Sequence, residues 1–114
     1  MAEIQLSQIK SVVRHYVDAL EKKGIVVEKV ILYGSYAKGT AKPFSDIDLV
    51  VISSDLSRWK PLDRLQMLSR ETICVKEPLE VLGYTPNEIA QNGDQSIYWE
   101  EISRTGKEIY KRAA

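Results

Sequence analysis

Apolar residues recur every three or four positions over residues 4–23, and this period predicts an amphipathic helix. Ser7 is a candidate N-cap, and Gly24 supplies a left-handed stop after the basic last turn. One face of the helix collects its apolar side chains: Ile9, Val13, Tyr16, Val17 and Leu20. An apolar face of this width predicts that the helix packs against a hydrophobic core.

Beyond this helix the period shortens, and compact runs of apolar residues predict strands over residues 28–33, 46–52 and 79–84. The middle run is almost entirely apolar after Asp48, which indicates a strand covered on both faces. Between the first two strands, residues 35–39 predict a short helix that Gly39 stops. Residues 40–45 predict a loop.

Helical signals return in the second half of the chain. A helix is predicted over residues 60–73 with Pro61 in its first turn, and its expected apolar contacts are Leu62, Leu65, Met67 and Leu68. Thr85 and Glu88 have the spacing of a capping box, with Pro86 between them at the first helical position.

The closing part predicts a turn at Asn92-Gly93 and a last helix over residues 95–104, which Asp94 can cap and Gly106 ends. Residues 107–111 are either an edge strand or a short tail. The order of elements favours an α/β (α+β) fold, a small mixed β-sheet with helices packed on it. The predicted organisation is one domain over residues 1–114.

Composition narrows the functional class. The 114 residues are 44% hydrophobic and 28% charged, as in globular proteins, and the net charge is zero. With no basic excess, direct binding of nucleic acid is disfavoured. A membrane span needs about 20 consecutive apolar residues, and no run approaches that length. The single cysteine, Cys74, suits a reducing cytoplasm, and its apolar neighbours predict a buried packing role.

The first candidate for chemistry is the turn that follows the first predicted strand. Gly34 permits a tight turn with close approach of the backbone to a ligand. Ser35 stands at the start of the short helix, where unpaired N–H groups and the helix dipole favour an anion such as a phosphate. Lys38 lies one turn further on and could add a cation near the same group.

The second candidate is a pair of carboxylates at the start of the next strand. Side chains alternate along a strand, so Asp46 and Asp48 emerge on one face, about 6.5–7 Å apart. Two like charges in one place repel unless a cation lies between them. Mg²⁺, bound by carboxylates, phosphate oxygens and water, answers that requirement. If the third strand lies beside this one, Glu80 points toward the pair and could ligate a metal or accept a proton.

Gly34-Ser35-Tyr36-Ala37-Lys38-Gly39, followed by Asp46-Ile47-Asp48, resembles the signature of the nucleotidyltransferase superfamily related to DNA polymerase β. The pattern is most similar to the minimal nucleotidyltransferases, with Glu80 at their third carboxylate position and a family-like stretch over residues 98–110. Lys38 stands where many members carry arginine, and Glu80 where many carry aspartate.

This resemblance implies the polymerase β-like fold and the transfer of a nucleotidyl group, AMP from ATP, to a hydroxyl. It implies that Gly34 and Ser35 hold the triphosphate while Asp46, Asp48 and Glu80 ligate Mg²⁺. Members of this family often pair with HEPN-domain toxins as antitoxins, in some cases by adenylylating a tyrosine of the toxin. A HEPN-type partner in the cytoplasm is therefore expected.

Two other functions fit the same residues. The chain could be a binding module that neutralises its partner by contact, or a metal-dependent nuclease or phosphohydrolase that uses the same carboxylates. A core of this size has little surface left to grip an acceptor, which favours a partner that brings its own acceptor. A homo-oligomer remains an open alternative. Aromatic candidates for a partner contact are Phe44, Trp59, Tyr98 and Trp99.

Overall fold

One four-stranded sheet organises the chain in the computed structural model, which describes residues 4–92 and 97–113. Its strands are β1 (Lys29–Tyr33), β2 (Ile47–Ile52), β3 (Leu79–Tyr84) and β4 (Lys107–Lys111), in the spatial order β3-β2-β1-β4. Strands β2 and β3 run parallel, whereas β1 pairs antiparallel with β2 and with β4. The predicted mixed sheet is confirmed, and the last segment forms its edge strand rather than a tail.

Five helices accompany the sheet in the described residues: α1 (Leu6–Lys22), α2 (Ser35–Lys38), α3 (Pro61–Arg70), α4 (Pro86–Asn92) and α5 (Ile97–Thr105). Gly24 and Gly39 follow α1 and α2 in the left-handed region, at φ of 82° and 75°, as the sequence predicts. The capping box at the start of α4 is also confirmed. The Glu88 carboxylate accepts from the Thr85 amide at 2.9 Å, and the Thr85 hydroxyl accepts from the Glu88 amide at 3.1 Å.

The first face of the sheet carries the larger core. The predicted apolar face of α1 is buried against it, and the Tyr16 hydroxyl donates to the Leu68 carbonyl of α3 at 2.6 Å. The sheet contributes Val30, Leu32, Ile47, Leu49, Val51 and Val81. Because these residues alternate along their strands, their neighbours face the opposite side.

The second face carries a smaller core beneath α4 and α5. It consists of Tyr33, Val50, Ile52 and Ile102, with Ile31, Leu82, Tyr84, Ile89 and Trp99 packed against them. Strand β2 is thus covered on both faces, which explains its nearly unbroken apolar run. Within the described residues, no helix is both long and apolar enough to cross a membrane.

The predicted packing of α3 is partly wrong. Met67 and Leu68 are buried, but Leu62 and Leu65 are 65% and 43% exposed. At 100° per residue, the inward face of this helix is shared by Arg64, Met67 and Leu68. The helix also ends at Arg70, and a 3₁₀ segment over Glu71–Cys74 replaces its predicted last turn.

Two other local predictions are wrong. Helix α1 begins at Leu6, so Gln5 rather than Ser7 occupies the N-cap position, without a side-chain cap. Cys74 is exposed, because the 3₁₀ segment turns it outward, and its thiol lies 3.9 Å from the His15 carbonyl. The predicted Gly93 turn and Asp94 cap lie outside the described residues.

Candidate active site

Asp48 and Glu80 meet across the parallel pair β2–β3. The register sets these two residues opposite one another, so their side chains leave the second face side by side. Asp48 is half-buried, whereas Glu80 and Asp46, which directly precedes β2, are exposed. The expected adjacency of the third strand is thereby confirmed, and the three carboxylates gather at one end of the sheet.

The electrostatics of Asp48 reflect this crowding. Burial, the neighbouring charge of Glu80, a hydrogen bond with Glu80 and the charge of Asp46 raise its pKa from 3.8 to about 6. A hydrogen bond between two carboxyl groups requires a proton on one of them. A second negative charge is therefore disfavoured here unless a cation offsets it.

Gly34 closes one side of this carboxylate pair. It lies between β1 and α2 with φ of 72° and ψ of −152°, a conformation that glycine adopts without the steric penalty of a side chain. A Cβ atom added here would overlap the Asp48 Oδ2 atom. The turn is thus glycine-specific for two reasons, its backbone angles and the close approach of the Asp48 carboxylate.

Helix α2 places the remaining predicted phosphate-binding residues. Ser35 is its half-buried first residue, and the Lys38 amide donates to the Gly34 carbonyl at 3.1 Å. The Lys38 ammonium forms an ion pair with Glu101 of α5 at 2.8 Å. Lys38 therefore lies one turn from the Gly34 backbone, with its charge paired to a neighbouring helix.

The aromatic candidates have different environments. Trp59 packs against the larger core, and Trp99 stacks edge-on against Tyr84 with ring centroids 5.5 Å apart. The Tyr98 side chain lies outside the described part of the structure. Phe44 is 79% exposed, two residues before Asp46.

Phe44 also has an unusual backbone. The Ser45 amide donates to the Lys42 carbonyl at 3.0 Å, which closes a turn with Pro43 and Phe44 at its centre. Phe44 has φ of 71°, as the third residue of a type II turn requires, and glycine or asparagine is usual there. A strained, exposed aromatic residue beside the carboxylates is a candidate for contact with another molecule.

The side chains at this site offer carboxylate oxygens, the type of ligand that Mg²⁺ prefers. Across residues 4–92 and 97–113, no group of three or more His, Cys, Asp or Glu side chains is placed to hold a metal ion. Mg²⁺ is usually bound through one or two carboxylates, with phosphate oxygens and water completing its shell. Asp48 and Glu80, which lie side by side, suit that mode in donor type and number.

Sequence reasoning missed two residues that border the site. Tyr33 pairs with Asp48 across β1–β2 and is only 7% exposed. Its position directly before Gly34 is a signal that could have identified it. Glu101 lies 63 residues from Lys38 in the chain, so no local pattern could have indicated their contact.

A mixed sheet that carries a Gly-Ser turn against strand-borne carboxylates defines a nucleotidyltransferase-type domain. The family model described as "Nucleotidyltransferase domain" matches residues 13–108, most of the chain. The chain therefore belongs to the nucleotidyltransferase domain family.

A curated relative supports this assignment over part of the chain. A Methanocaldococcus jannaschii protein named "Putative protein adenylyltransferase MJ1305" is 44% identical over 48 residues. The matched segment covers 42% of this chain and 32% of that protein, so the chain matches about a third of its length.

Solved structures share the fold. One, from Sulfolobus solfataricus and described as a "putative nucleotidyltransferase", has a TM-score of 0.60 at 20% identity, over 94% of this chain and 80% of that chain. A toxin–antitoxin structure with AMP-PNP has a TM-score of 0.51 at 16% identity, over 96% and 75% of the respective chains. At these identities the likeness concerns the fold alone.

Proposed function

We propose that this protein is a Mg²⁺-dependent nucleotidyltransferase that moves AMP from ATP to a hydroxyl group of a partner protein. The observation that carries the proposal is the Asp48–Glu80 pair, set across β2–β3 and backed by the Gly34 turn. Family membership and the adenylyltransferase name of the partial relative support the type of reaction.

In this proposal each residue has a defined task. The backbone at Gly34 and Ser35 and the Lys38 ammonium bind the triphosphate. The acceptor oxygen forms a bond to the α-phosphorus, and the bond from this phosphorus to the bridging oxygen of the β-phosphate breaks. Pyrophosphate leaves, and Glu80 accepts the proton of the attacking hydroxyl.

Mg²⁺ would be held by Asp48 and Glu80, with Asp46 beside them as a further carboxylate. When bound, it supplies positive charge that offsets the charge of the phosphates and of the carboxylates. The raised pKa of Asp48 supports this assignment, because it reports that uncompensated negative charge is disfavoured at the site.

We further propose that the acceptor is a tyrosine of a HEPN-type toxin in the cytoplasm, and that the chain acts as its antitoxin. Toxin–antitoxin complexes among the fold neighbours support a toxin partner. Phe44, exposed beside Asp46, is the proposed contact with that partner. An acceptor supplied by another protein suits a domain whose own surface offers little to hold one.

In the test, the protein is incubated with Mg²⁺, the candidate partner and ATP that carries ³²P at either the α- or the γ-phosphate. The radioactivity transferred to the partner is then measured. We expect α-label, and no γ-label, to move to the partner. Asp46→Asn should reduce transfer at least about 100-fold, as loss of a group that stabilises the transition state does. Unchanged circular dichroism would show that the variant is folded. Transfer of γ-label, or full transfer by the variant, would refute the proposal.

A contact-only antitoxin is the second candidate, and the existing Lys38–Glu101 ion pair favours it, since the phosphate-binding cation is already occupied. Co-expression with the toxin separates the two functions. Under the contact-only function, Asp46→Asn still neutralises the toxin and Phe44→Ala does not. Under the transferase function, Asp46→Asn loses neutralisation.

A further inference from the structure

Helix α5 reaches into the proposed phosphate site through one side chain. Glu101 Oε1 lies 2.8 Å from the Lys38 ammonium, and Glu101 Oε2 lies 3.1 Å from Arg104 on the next turn of its own helix. The side chains of Lys38 and Glu101 are each nearly half exposed, at 44% and 45%. Water and a ligand can therefore reach the pair.

The position of this pair connects it to the carboxylate site. Lys38 is bonded through its amide to the Gly34 carbonyl, and Gly34 backs the Asp48 carboxylate. Glu101 thus contacts the cation of the helix that begins directly after Gly34. A triphosphate entering there meets a cation that already has an anionic partner.

Arg104 allows Glu101 to release Lys38 without losing every charged partner. When Lys38 turns to a phosphate, Glu101 keeps Arg104 as a partner and is not left as an isolated charge. Breaking an exposed ion pair of this kind requires little free energy.

We propose that Glu101 competes with the triphosphate for the Lys38 ammonium and thereby lowers the affinity of the site for its nucleotide. This inference rests on the proposed function, because it assumes that the site binds a triphosphate. It predicts that α5 sets nucleotide affinity through one ion pair, without any contact between Glu101 and the base.

The test measures the dissociation constants of Mg²⁺–AMP-PNP and Mg²⁺–tripolyphosphate by calorimetry at low ionic strength. Glu101→Gln should tighten both about two- to fivefold, the range expected for an exposed ion pair. Glu100→Gln is the matched control, since it removes the same charge one residue away on α5 and should leave both constants nearly unchanged. Arg104→Gln should weaken binding, because Glu101 then has Lys38 alone.

A Lys38→Met background tests the route of the effect. There, Glu101→Gln should change neither constant, and in the wild-type background its effect should disappear at about 0.5 M salt, where exposed charges are screened. Equal effects of Glu101→Gln and Glu100→Gln, or tightening that persists without Lys38, would overturn the inference alone. Absence of binding to the wild-type protein would overturn the proposed function and this inference together.

Discussion

At the scale of single residues, Gly34 and Asp48 depend on each other. The Asp48 carboxylate occupies the space that any larger residue at position 34 would need. Gly24 has a similar positive φ, 82°, but a Cβ there would meet nothing within 4 Å. Because ψ of −152° at Gly34 lies in a backbone region that is essentially restricted to glycine, alanine there meets both backbone strain and the carboxylate contact.

Alanine at each position tests this difference. Gly24→Ala should lower the free energy of unfolding by about 1 kcal/mol, the strain of a left-handed alanine. Gly34→Ala should lower it by about 3 kcal/mol, because overpacking against Asp48 adds to the strain. Urea denaturation measures both values. The contact between position 34 and Asp48 would be refuted if the two variants lost equal free energy of unfolding. It would also be refuted if adding Asp48→Ala to Gly34→Ala restored none of the lost stability.

The raised pKa of Asp48 makes stability depend on pH. Its folded value of about 6 exceeds the ordinary 3.8, so between these values the folded protein binds more protons than the unfolded chain. The contribution of Asp48 to the free energy of unfolding is therefore fully present below pH 3.8 and is lost as the pH rises through about 6. The contribution is about 1 kcal/mol once solvent screening at this half-buried group is allowed for.

Comparison with Asp48→Asn tests that contribution, because the variant keeps the shape of the side chain and removes its titrating carboxyl group. In EDTA, the variant should become more stable relative to the wild type as the pH rises from 4 to about 7. Chemical denaturation at each pH gives the difference. If the stability difference between wild type and Asp48→Asn did not change with pH, the raised pKa of Asp48 would be disproved.

At the scale of elements, Arg64 joins α3 to the segments around it. It is 7% exposed, and its guanidinium donates to the Leu56 carbonyl at 3.1 Å, to the Gly83 carbonyl at 3.2 Å and to both carboxylate oxygens of Glu88. These bonds connect α3 with a 3₁₀ segment that precedes it (Ser54–Arg58), with β3 and with the start of α4. Hydrogen bonding satisfies a charged group that would otherwise be costly to bury.

Arg64→Lys keeps the charge but loses the planar arrangement of donors. We expect a loss of about 2 kcal/mol in the free energy of unfolding, since buried acceptors lose their partners. Arg58→Lys is the control, because Arg58 is exposed and bonds mainly to the Gly24 carbonyl at 2.8 Å, and its loss should stay below about 1 kcal/mol. Similar losses in both would refute this role of Arg64.

At the scale of the whole molecule, nucleotide binding should raise the free energy of unfolding. A ligand that binds only the folded state at about 100 times its dissociation constant adds about 2.7 kcal/mol. For a domain of this size, Mg²⁺–AMP-PNP should therefore raise Tm by roughly 10–20 °C. Asp46→Asn should lose most of that shift, and AMP-PNP with EDTA should produce less. An undiminished shift in the variant would place the ligand away from the carboxylates.

Local sequence patterns predicted the structure correctly where a residue's neighbours in sequence are also its neighbours in space. The amphipathic period of α1, the positive φ of Gly24 and Gly39, and the capping box at Thr85 are of this kind. The patterns failed at Leu62, Leu65 and Cys74, since hydrophobicity alone does not say which side of a helix or a 3₁₀ turn meets the core.

The sequence by itself determined three of the four strands, the Gly34-Ser35 turn and the Asp46–Asp48 pair, because short-range sterics and strand alternation fix them. The fourth strand, β4, was one of two alternatives until the sheet placed it at its edge. Only the tertiary structure decided that β3 lies parallel beside β2 and so brings Glu80 opposite Asp48. It alone paired Lys38 with Glu101, 63 residues away. Strand order and long-range ion pairs depend on how separate elements pack, and no local spacing encodes that choice.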